Sequence, residues 1–347
     1  MKNIRKIVSG LLGLIMLCAA LAIPALAEDS SEDDGVYRIV TSVFPIYDWV
    51  RHIVGDAEGV EVSMLEDSGV DLHNFYLTTG DLALLSKADL FIYVGGKSDS
   101  WADLAISASG HEGMIYMHLL DALGSDALEE ELVEGMEEEG DSSEAATSEE
   151  EVLEEGAEQD EHDHDHVTSP YEEHVWLSLR NAMFYVRHIA RVLEDNIPES
   201  ADIFAANAED YLAKLEDLNE RYFATVMTAQ RKVMLFADRF PFRYLFNDYG
   251  IDYYAAFKGC SAETEASAET IVSLAGLVDE LDLPVIMTIE GTNHNIAETV
   301  ASSAKKQDVK ILVVDSLQSV TADRVAAGAD YLEIMEKNLE IFREALN

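Results

Sequence analysis

Short apolar runs alternate with longer segments of helical period along most of the chain. Residues 36–40, 60–65 and 89–94 are apolar enough and short enough to be strands, and each is followed by a helix-patterned segment. The same alternation returns later, with predicted strands at residues 232–236, 252–257, 284–289 and 309–314. Strands that alternate with helices form parallel sheets with crossover helices, so the fold class is α/β with a sheet in each of two lobes.

A long helical stripe separates the two sets of strands. Apolar side chains recur every three or four residues, which predicts one continuous amphipathic helix over residues 198–230. The stripe consists of Phe204, Ala208, Tyr211, Leu215, Leu218, Tyr222 and Val226. With 347 residues the chain exceeds what one core usually supports, so we expect an N-terminal lobe at 36–197 and a C-terminal lobe at 231–347. The second lobe should end in a helix from about residue 326 to 346.

The first 27 residues have the pattern of a signal peptide. Basic residues precede an apolar run at 7–23, and Ala25 and Ala27 supply the small side chains that a signal peptidase reads. Cys18 lies inside that run, after a leucine, and we interpret it as ordinary signal sequence. The polar residues 28–35 predict a short disordered leader. We therefore expect an exported protein, periplasmic or extracellular at the cell surface.

Charge is distributed very unevenly. The chain has 23 basic and 68 acidic residues, for a net charge of −45, which opposes binding to nucleic acid and favours cations. Residues 129–166 hold 19 of those acids and no Lys or Arg, and without them the remainder still carries −26. A segment so charged and so poor in apolar residues predicts a disordered insertion in the first lobe.

Histidines provide the candidate chemistry. The insertion ends in alternating His and Asp, and we expect its three imidazoles to capture a divalent cation weakly. These three are His162, His164 and His166. His73 follows the second predicted strand and His174 lies between acids and an apolar segment, so either can be a ligand or an ordinary loop histidine. Asp315 ends the last strand, where a carboxylate is either a turn cap or a ligand.

The phrases around these residues resemble a known family. Residues 71–75, followed by 79–83 and 87–96, resemble the first-ligand region of the zinc- and manganese-binding solute proteins of bacterial ABC importers. Residues 174–182 resemble their second-ligand region, while 242–250 and 261–267 are similar to the third. An acidic, histidine-rich insertion before the second ligand is typical of the zinc-importing branch. The resemblance extends over nearly the whole mature chain.

The resemblance implies two α/β lobes joined by one long rigid helix, with one metal held between them. It assigns His73 and His174 as ligands from the first lobe and matches Asp315 to the final carboxylate. The third ligand, usually His or Glu, falls on Arg239, which cannot bind a cation. We predict that the adjacent Asp238 replaces it, with the carboxylates at residues 263 and 265 as alternatives.

Other residues and other functions remain open at this point. A lone cysteine after a buried strand, such as Cys260, is more often a small core residue than a ligand. His294 is a less favoured candidate ligand. A zinc hydrolase would need Glu172 or Glu173 as general base, but neither a His-Glu-x-x-His helix nor a nucleophile elbow is present. A secreted zinc buffer or adhesin would use the His-Asp run itself.

The function that we predict is metal import and not catalysis. The chain should capture zinc, or alternatively manganese, and deliver it to the permease subunit of an ABC importer. Two histidines favour zinc, whereas each added carboxylate favours manganese. We expect a monomer that binds no nucleic acid.

Overall fold

The computed structural model describes residues 35–111, 113–137, 171–261 and 265–347. The predicted signal peptide, the leader up to residue 34 and the three histidines of the insertion lie outside these ranges. Within them, no helix combines the length and apolar character needed to cross a bilayer.

The first lobe is built on a four-stranded parallel sheet. Its strand order is β2-β1-β3-β4, with β1 paired to both β2 and β3. The strands are β1 Tyr37–Thr41, β2 Val60–Met64, β3 Leu90–Tyr93 and β4 Ile115–His118. The central strand β3 is buried along its whole length, because helices cover both faces of a parallel sheet.

The second lobe repeats the arrangement in the order β6-β5-β7-β8, again with every pair parallel. Its strands are β5 Val233–Phe240, β6 Asp252–Lys258, β7 Val285–Ile289 and β8 Lys310–Val314. The predicted α/β class with two sheets is therefore confirmed. One difference matters for the site: β5 continues past residue 236, with a register shift between Phe236 and Arg239, so that Asp238 and Arg239 belong to a strand and not to a loop.

Helices connect the strands and cover the sheets. Those of the first lobe are α1 Phe44–Val54, α2 Thr79–Leu85, α3 Ala102–Ser109, α4 Leu119–Leu123 and α5 Leu179–Asn196. The helix between the lobes is α6 Ala201–Thr228. The second lobe has α7 Arg243–Tyr249, α8 Ala268–Glu280, α9 Asn295–Ser303, α10 Ala322–Ala326 and α11 Tyr331–Ala345. The predicted C-terminal helix is thus present as α11, which begins at Tyr331, about five residues later than predicted.

Helix α6 makes contacts to both lobes. Near its beginning, Asn207 Nδ2 donates to the Ile53 carbonyl of α1 at 3.0 Å, and near its end Tyr222 donates to the Met335 carbonyl of α11 at 2.7 Å. Its apolar stripe is buried in a core that also contains Trp49 of α1 and Phe342 of α11. Because that apolar core is continuous from one lobe to the other, the long helix is a rigid spacer and not a flexible tether.

The start of the acidic insertion is ordered, contrary to our prediction. Glu129 pairs with Tyr171 in an antiparallel bridge, and the Glu137 backbone N–H donates to the Ala256 carbonyl at 3.0 Å. Glu131 forms an ion pair with Arg243 of α7. Residues 129–137 therefore lie along the second lobe, because their carboxylates find a guanidinium and backbone donors there.

Candidate metal centre

His73 occupies a short 3₁₀ turn, Leu72–Asn74, that follows β2. The Asp71 carboxylate caps this turn by accepting from the His73 backbone N–H at 3.0 Å. The ring is nearly buried, with 6% of the side chain exposed. Its Nδ1 lies 2.6 Å from Ser98 Oγ, and Ser98 in turn donates to the Glu173 carboxylate. With Ser98 donating to Glu173, its oxygen accepts the Nδ1 proton, and the free lone pair of His73 is on Nε2.

His174 is fully buried and directly precedes the 3₁₀ turn Val175–Leu177. The Glu172 carboxylate accepts from its Nδ1, and Gln318 Oε1 lies 2.9 Å from its Nε2. The neighbouring Trp176 also contacts the second lobe near Gln318, since its Nε1 donates to the Ser316 carbonyl at 2.9 Å. A carboxylate on one ring nitrogen leaves the other available to a metal, as in carboxylate–histidine–zinc arrangements.

Three acceptor atoms converge where the two rings meet. The Nε2 atoms of His73 and His174 are 3.4 Å apart. Gln318 donates from its own Nε2 to Asp71 Oδ2 at 3.0 Å, which turns the amide oxygen towards His174. With Nδ1 of both rings bonded to oxygen acceptors, the Nε2 lone pairs of the two rings face each other, and Gln318 Oε1 faces that of His174. A proton or a metal cation placed among these atoms would satisfy them.

Two glycines allow the orienting carboxylates to approach so closely. Gly96 has φ of +85°, and a Cβ there would lie 2.4 Å from Glu173 Oε1. A Cβ on Gly259 would lie equally close, 2.4 Å, to Glu172 Oε2. A larger residue at either position would displace the acid that holds the corresponding histidine.

Several buried carboxyl groups lie close to the two rings and to one another. Burial raises the pKa of Glu173 to about 7 and that of Asp99 to about 6. Burial also raises the pKa of Glu66 well above its usual range, and the charges of Asp99, Asp71 and Glu173 add to the effect. An acid with a raised pKa gains from a nearby cation, so this side of the centre favours a positively charged ligand.

The two rings themselves differ in protonation. Burial, followed by the charge of His174, lowers the pKa of His73 to about 3. Burial also opposes a charge on His174, but the Glu172 carboxylate outweighs it and raises the pKa of that imidazole. His174 therefore holds a proton more readily than His73, and a metal ion would compete with that proton.

Arg239 points at the same region from the second lobe. Its guanidinium lies 2.6 Å from Asp71 Oδ2 and also donates to the Ser261 carbonyl at 3.3 Å. Although burial opposes the ionisation of Asp71, the Arg239 charge lowers the pKa of this carboxyl below its ordinary value. The residue at the expected third-ligand position is thus an arginine neutralised by an aspartate of the first lobe.

Asp238 is turned away from the two histidines. Its Oδ2 accepts from the hydroxyls of Thr288 at 2.6 Å and Thr292 at 2.9 Å, and from the Ile289 backbone N–H at 3.2 Å. It lines a cavity of about 480 Å³, together with Arg239 and His294, whereas His73 lines a different cavity. Asp238 is thus held within the second lobe by donors from β7 and from the loop that follows it.

Asp315 is also engaged elsewhere. Its Oδ2 is 2.7 Å from Arg324, and its Oδ1 accepts from the Leu317 backbone N–H at 2.9 Å. Among the described residues, the group of possible metal donors around His73 and His174 contains neither Asp315 nor Asp238. The structure therefore brings together two of the four predicted ligands and leaves the other two in local contacts.

The remaining candidates also have defined places. Glu172 and Glu173 orient the histidines, so neither is a free general base. His294 contacts Thr288 and Thr292 in the cavity beside Asp238. Glu265 is exposed, and residue 263 lies outside the described ranges. The contacts of Ser98 and Gln318 were absent from the sequence prediction, because a lone Ser or Gln near a strand end carries no pattern.

The architecture and this centre together define a class: two-lobed α/β binding proteins with a cation site where the lobes meet. The chain belongs to the ZnuA family, since the family model described as "Zinc-uptake complex component A periplasmic" matches residues 39–345. That description is of an uptake component, not of an enzyme. The resemblance inferred from the two histidine phrases is therefore confirmed.

Individual relatives agree with this assignment. The zinc-binding protein AdcA of Streptococcus pyogenes serotype M3 is 30% identical over 316 residues, which is 89% of this chain but 56% of that protein. The chain thus spans little more than half of the AdcA relatives. The high-affinity zinc uptake system protein ZnuA of Bacillus subtilis is 26% identical and matches over 97% of its length. The Zn(II)-bound ZnuA-like domain of Streptococcus pneumoniae AdcA has the same fold, with a TM-score of 0.66, 24% identity, and coverage of 90% of this chain and 99% of that domain.

Proposed function

We propose that this protein is the extracytoplasmic solute-binding component of an ABC importer, and that its cargo is zinc, with manganese as the alternative. The observation that carries the proposal is the convergence of three acceptor atoms between the lobes, from His73, His174 and Gln318. Membership of the zinc-uptake family and the zinc-binding relatives support the identity of the cargo.

In this proposal His73 and His174 bind the ion through Nε2, while the Glu172 carboxylate and the Ser98–Glu173 pair hold the outer ring nitrogens. Held in this way, the two nitrogens need little rearrangement on binding. Their separation of 3.4 Å matches the edge of a tetrahedral zinc site, which is about 3.4 Å for Zn–N bonds of about 2.0–2.1 Å.

Metal analysis of the purified chain tests the proposal. The protein, prepared without chelator, should carry one zinc ion that survives dialysis, and titration against a chromophoric chelator should give a single tight site. An exported chain should then stimulate zinc uptake by its permease in reconstituted vesicles. A chain that binds no tight zinc, or whose metal does not stimulate uptake, would contradict the proposal.

The histidine-rich insertion has an auxiliary role in this proposal. His162, His164 and His166 would bind extra ions weakly, through imidazoles that alternate with carboxylates along the sequence. Since residues 129–137 contact the second lobe, the deletion should begin after them and remove residues 141–167 only. We expect this deletion to remove the weak ions and to retain the tight one, whereas a zinc buffer would lose most of its capacity.

A further inference from the structure

Cys260 lies beside the two histidines, at the end of the second lobe's edge strand. It follows β6 by two residues, and its backbone N–H donates to Glu130 Oε1 at 3.1 Å. Its Sγ is 4.0 Å from Glu172 Oε1, the oxygen that also accepts from His174. The close approach of Gly259 to Glu172 therefore places the following thiol against the same carboxylate that orients His174.

One ligand atom from each of His73, His174 and Cys260 lies within 4.8 Å of the others. This group is distinct from the cluster of Cys260 with Glu130 and Glu172, in which no histidine takes part. Zinc bonds of about 2.0–2.1 Å to nitrogen and 2.3 Å to sulfur place N and S about 3.5 Å apart in a tetrahedron. The donor atoms, at most 4.8 Å apart, therefore have to approach one another by no more than about 1.3 Å to reach that separation.

We propose that Cys260 is the third zinc ligand and that Gln318 Oε1 completes the tetrahedron with His73 and His174. The inference rests on the proposed function and specifies its ligands. Arg239 and Asp315, where the family resemblance expects the third and fourth ligands, are each paired with an opposite charge. The second lobe then contributes the nearby soft donor Cys260 and the amide oxygen of Gln318, and not a carboxylate.

A cavity borders one side of this site. A cavity of about 390 Å³ is lined by His73, Ser98 and Cys260, together with aromatic residues of the first lobe. The cavity that contains Asp238 and Arg239 does not include the thiol or either of the two histidines. An ion in the cavity beside Cys260 would meet His73 and the thiol without passing the arginine.

The ligand set has chemical consequences. Binding replaces the S–H bond of Cys260 by a sulfur–zinc bond and releases one proton to solvent, so no oxidant or other reactant is required. A thiolate is a soft ligand that suits zinc, whereas manganese prefers oxygen donors. The site should therefore select zinc over manganese more strongly than a site of histidines and carboxylates.

Cobalt substitution provides the direct test. Co²⁺ bound to the full chain should show a near-ultraviolet sulfur-to-cobalt charge-transfer band, and Cys260→Ser should lose that band. We expect Cys260→Ser to weaken zinc by more than about 100-fold, beyond the loss typical of a residue that only orients a ligand. Zinc-to-manganese selectivity should fall in the same variant. Gln318→Ala should weaken zinc by about 10-fold or more, with the band retained.

The outcomes separate the two proposals. A single tight zinc that depends on both histidines but is unchanged in Cys260→Ser, together with a cobalt complex that lacks the sulfur band, would overturn the role of Cys260 alone. Absence of tight zinc from the unaltered chain would overturn the proposed function itself. Circular dichroism of Cys260→Ser shows whether the variant is folded. Cys260→Ala should weaken zinc as much as Cys260→Ser does if the thiol is the ligand.

Discussion

The two halves of the metal centre are built in opposite ways. In the first lobe, His73 and His174 each have one ring nitrogen tied to a buried acid, directly or through Ser98, and present the other to the space between the lobes. In the second lobe, Asp315 faces Arg324, and Arg239 takes the place of a ligand and reaches across to Asp71.

The first half of the site has both expected ligands in place, whereas in the second half Arg239 and Asp315 are each held in an ion pair. The first-lobe histidines are positioned by contacts within their own lobe, so changes in the other lobe leave their geometry intact. In the second lobe, the arginine at the expected ligand position is neutralised by an acid of the first lobe. With the ligand set proposed above, the selectivity between zinc and manganese would depend on the donors of the second lobe.

The largest expected effect is the loss of a first-lobe ligand. His73→Ala and His174→Ala should each weaken zinc by more than about 100-fold, since structural zinc derives several kcal/mol from each ligand. Competition with a chromophoric chelator measures the change. His188→Ala, on an exposed position of α5, is the matched control and should bind as the unaltered chain does. If either variant binds zinc within threefold of the affinity of the unaltered chain, the replaced histidine is not a ligand.

The next effect concerns the groups that orient the rings. Ser98→Ala and Glu172→Gln should each weaken zinc by about 10- to 100-fold, because the lone pair on Nε2 loses its fixed direction and basicity. Ser100→Ala is the control, since Ser100 lines the same cavity but is exposed. Isothermal titration at one pH gives the comparison. If Ser98→Ala binds zinc as tightly as the unaltered chain, the Ser98–Glu173 pair is not required to orient the His73 ring.

Arg239 should act in the opposite direction. Arg239→Ala removes a partly buried positive charge close to the metal centre, and we expect zinc to bind about 10-fold more tightly. Asp71→Asn should weaken zinc, because it leaves the guanidinium without its partner. The double variant should lie close to the unaltered chain if the two charges act as a pair. Equal affinities for all four proteins would show that Arg239 and Asp71 have no electrostatic influence on the site.

Sequence alone predicted most of the fold, because strand runs and the helical stripe are local patterns that the structure keeps. It also predicted both histidines of the acceptor group, each set in a recognisable phrase. It did not predict the partners that decide the rest of the centre. Arg239 meets Asp71 across 168 residues and Gln318 meets Asp71 across 247, and such contacts depend on how two lobes dock. The ordering of residues 129–137 was missed for the same reason, since their partners lie in the second lobe.

The smallest expected effect is at Asp315, and the corresponding variant tests whether the second lobe contributes a carboxylate ligand to the metal. The Asp315–Arg324 pair is partly exposed, with 22% and 39% of the two side chains accessible, and pairs of this kind contribute at most about 1 kcal/mol. Asp315→Asn should therefore change zinc affinity by less than about threefold, because the carboxylate is bound to Arg324 and not to the metal.

The partner variant Arg324→Ala removes the cation that holds the Asp315 carboxylate. If Arg324→Ala leaves zinc affinity unchanged, Asp315 is too far from the ion to influence binding even without its arginine. A loss of tenfold or more in Asp315→Asn would instead mean that Asp315 leaves Arg324 when zinc arrives, and the contrast between the two halves would then hold for the free protein only.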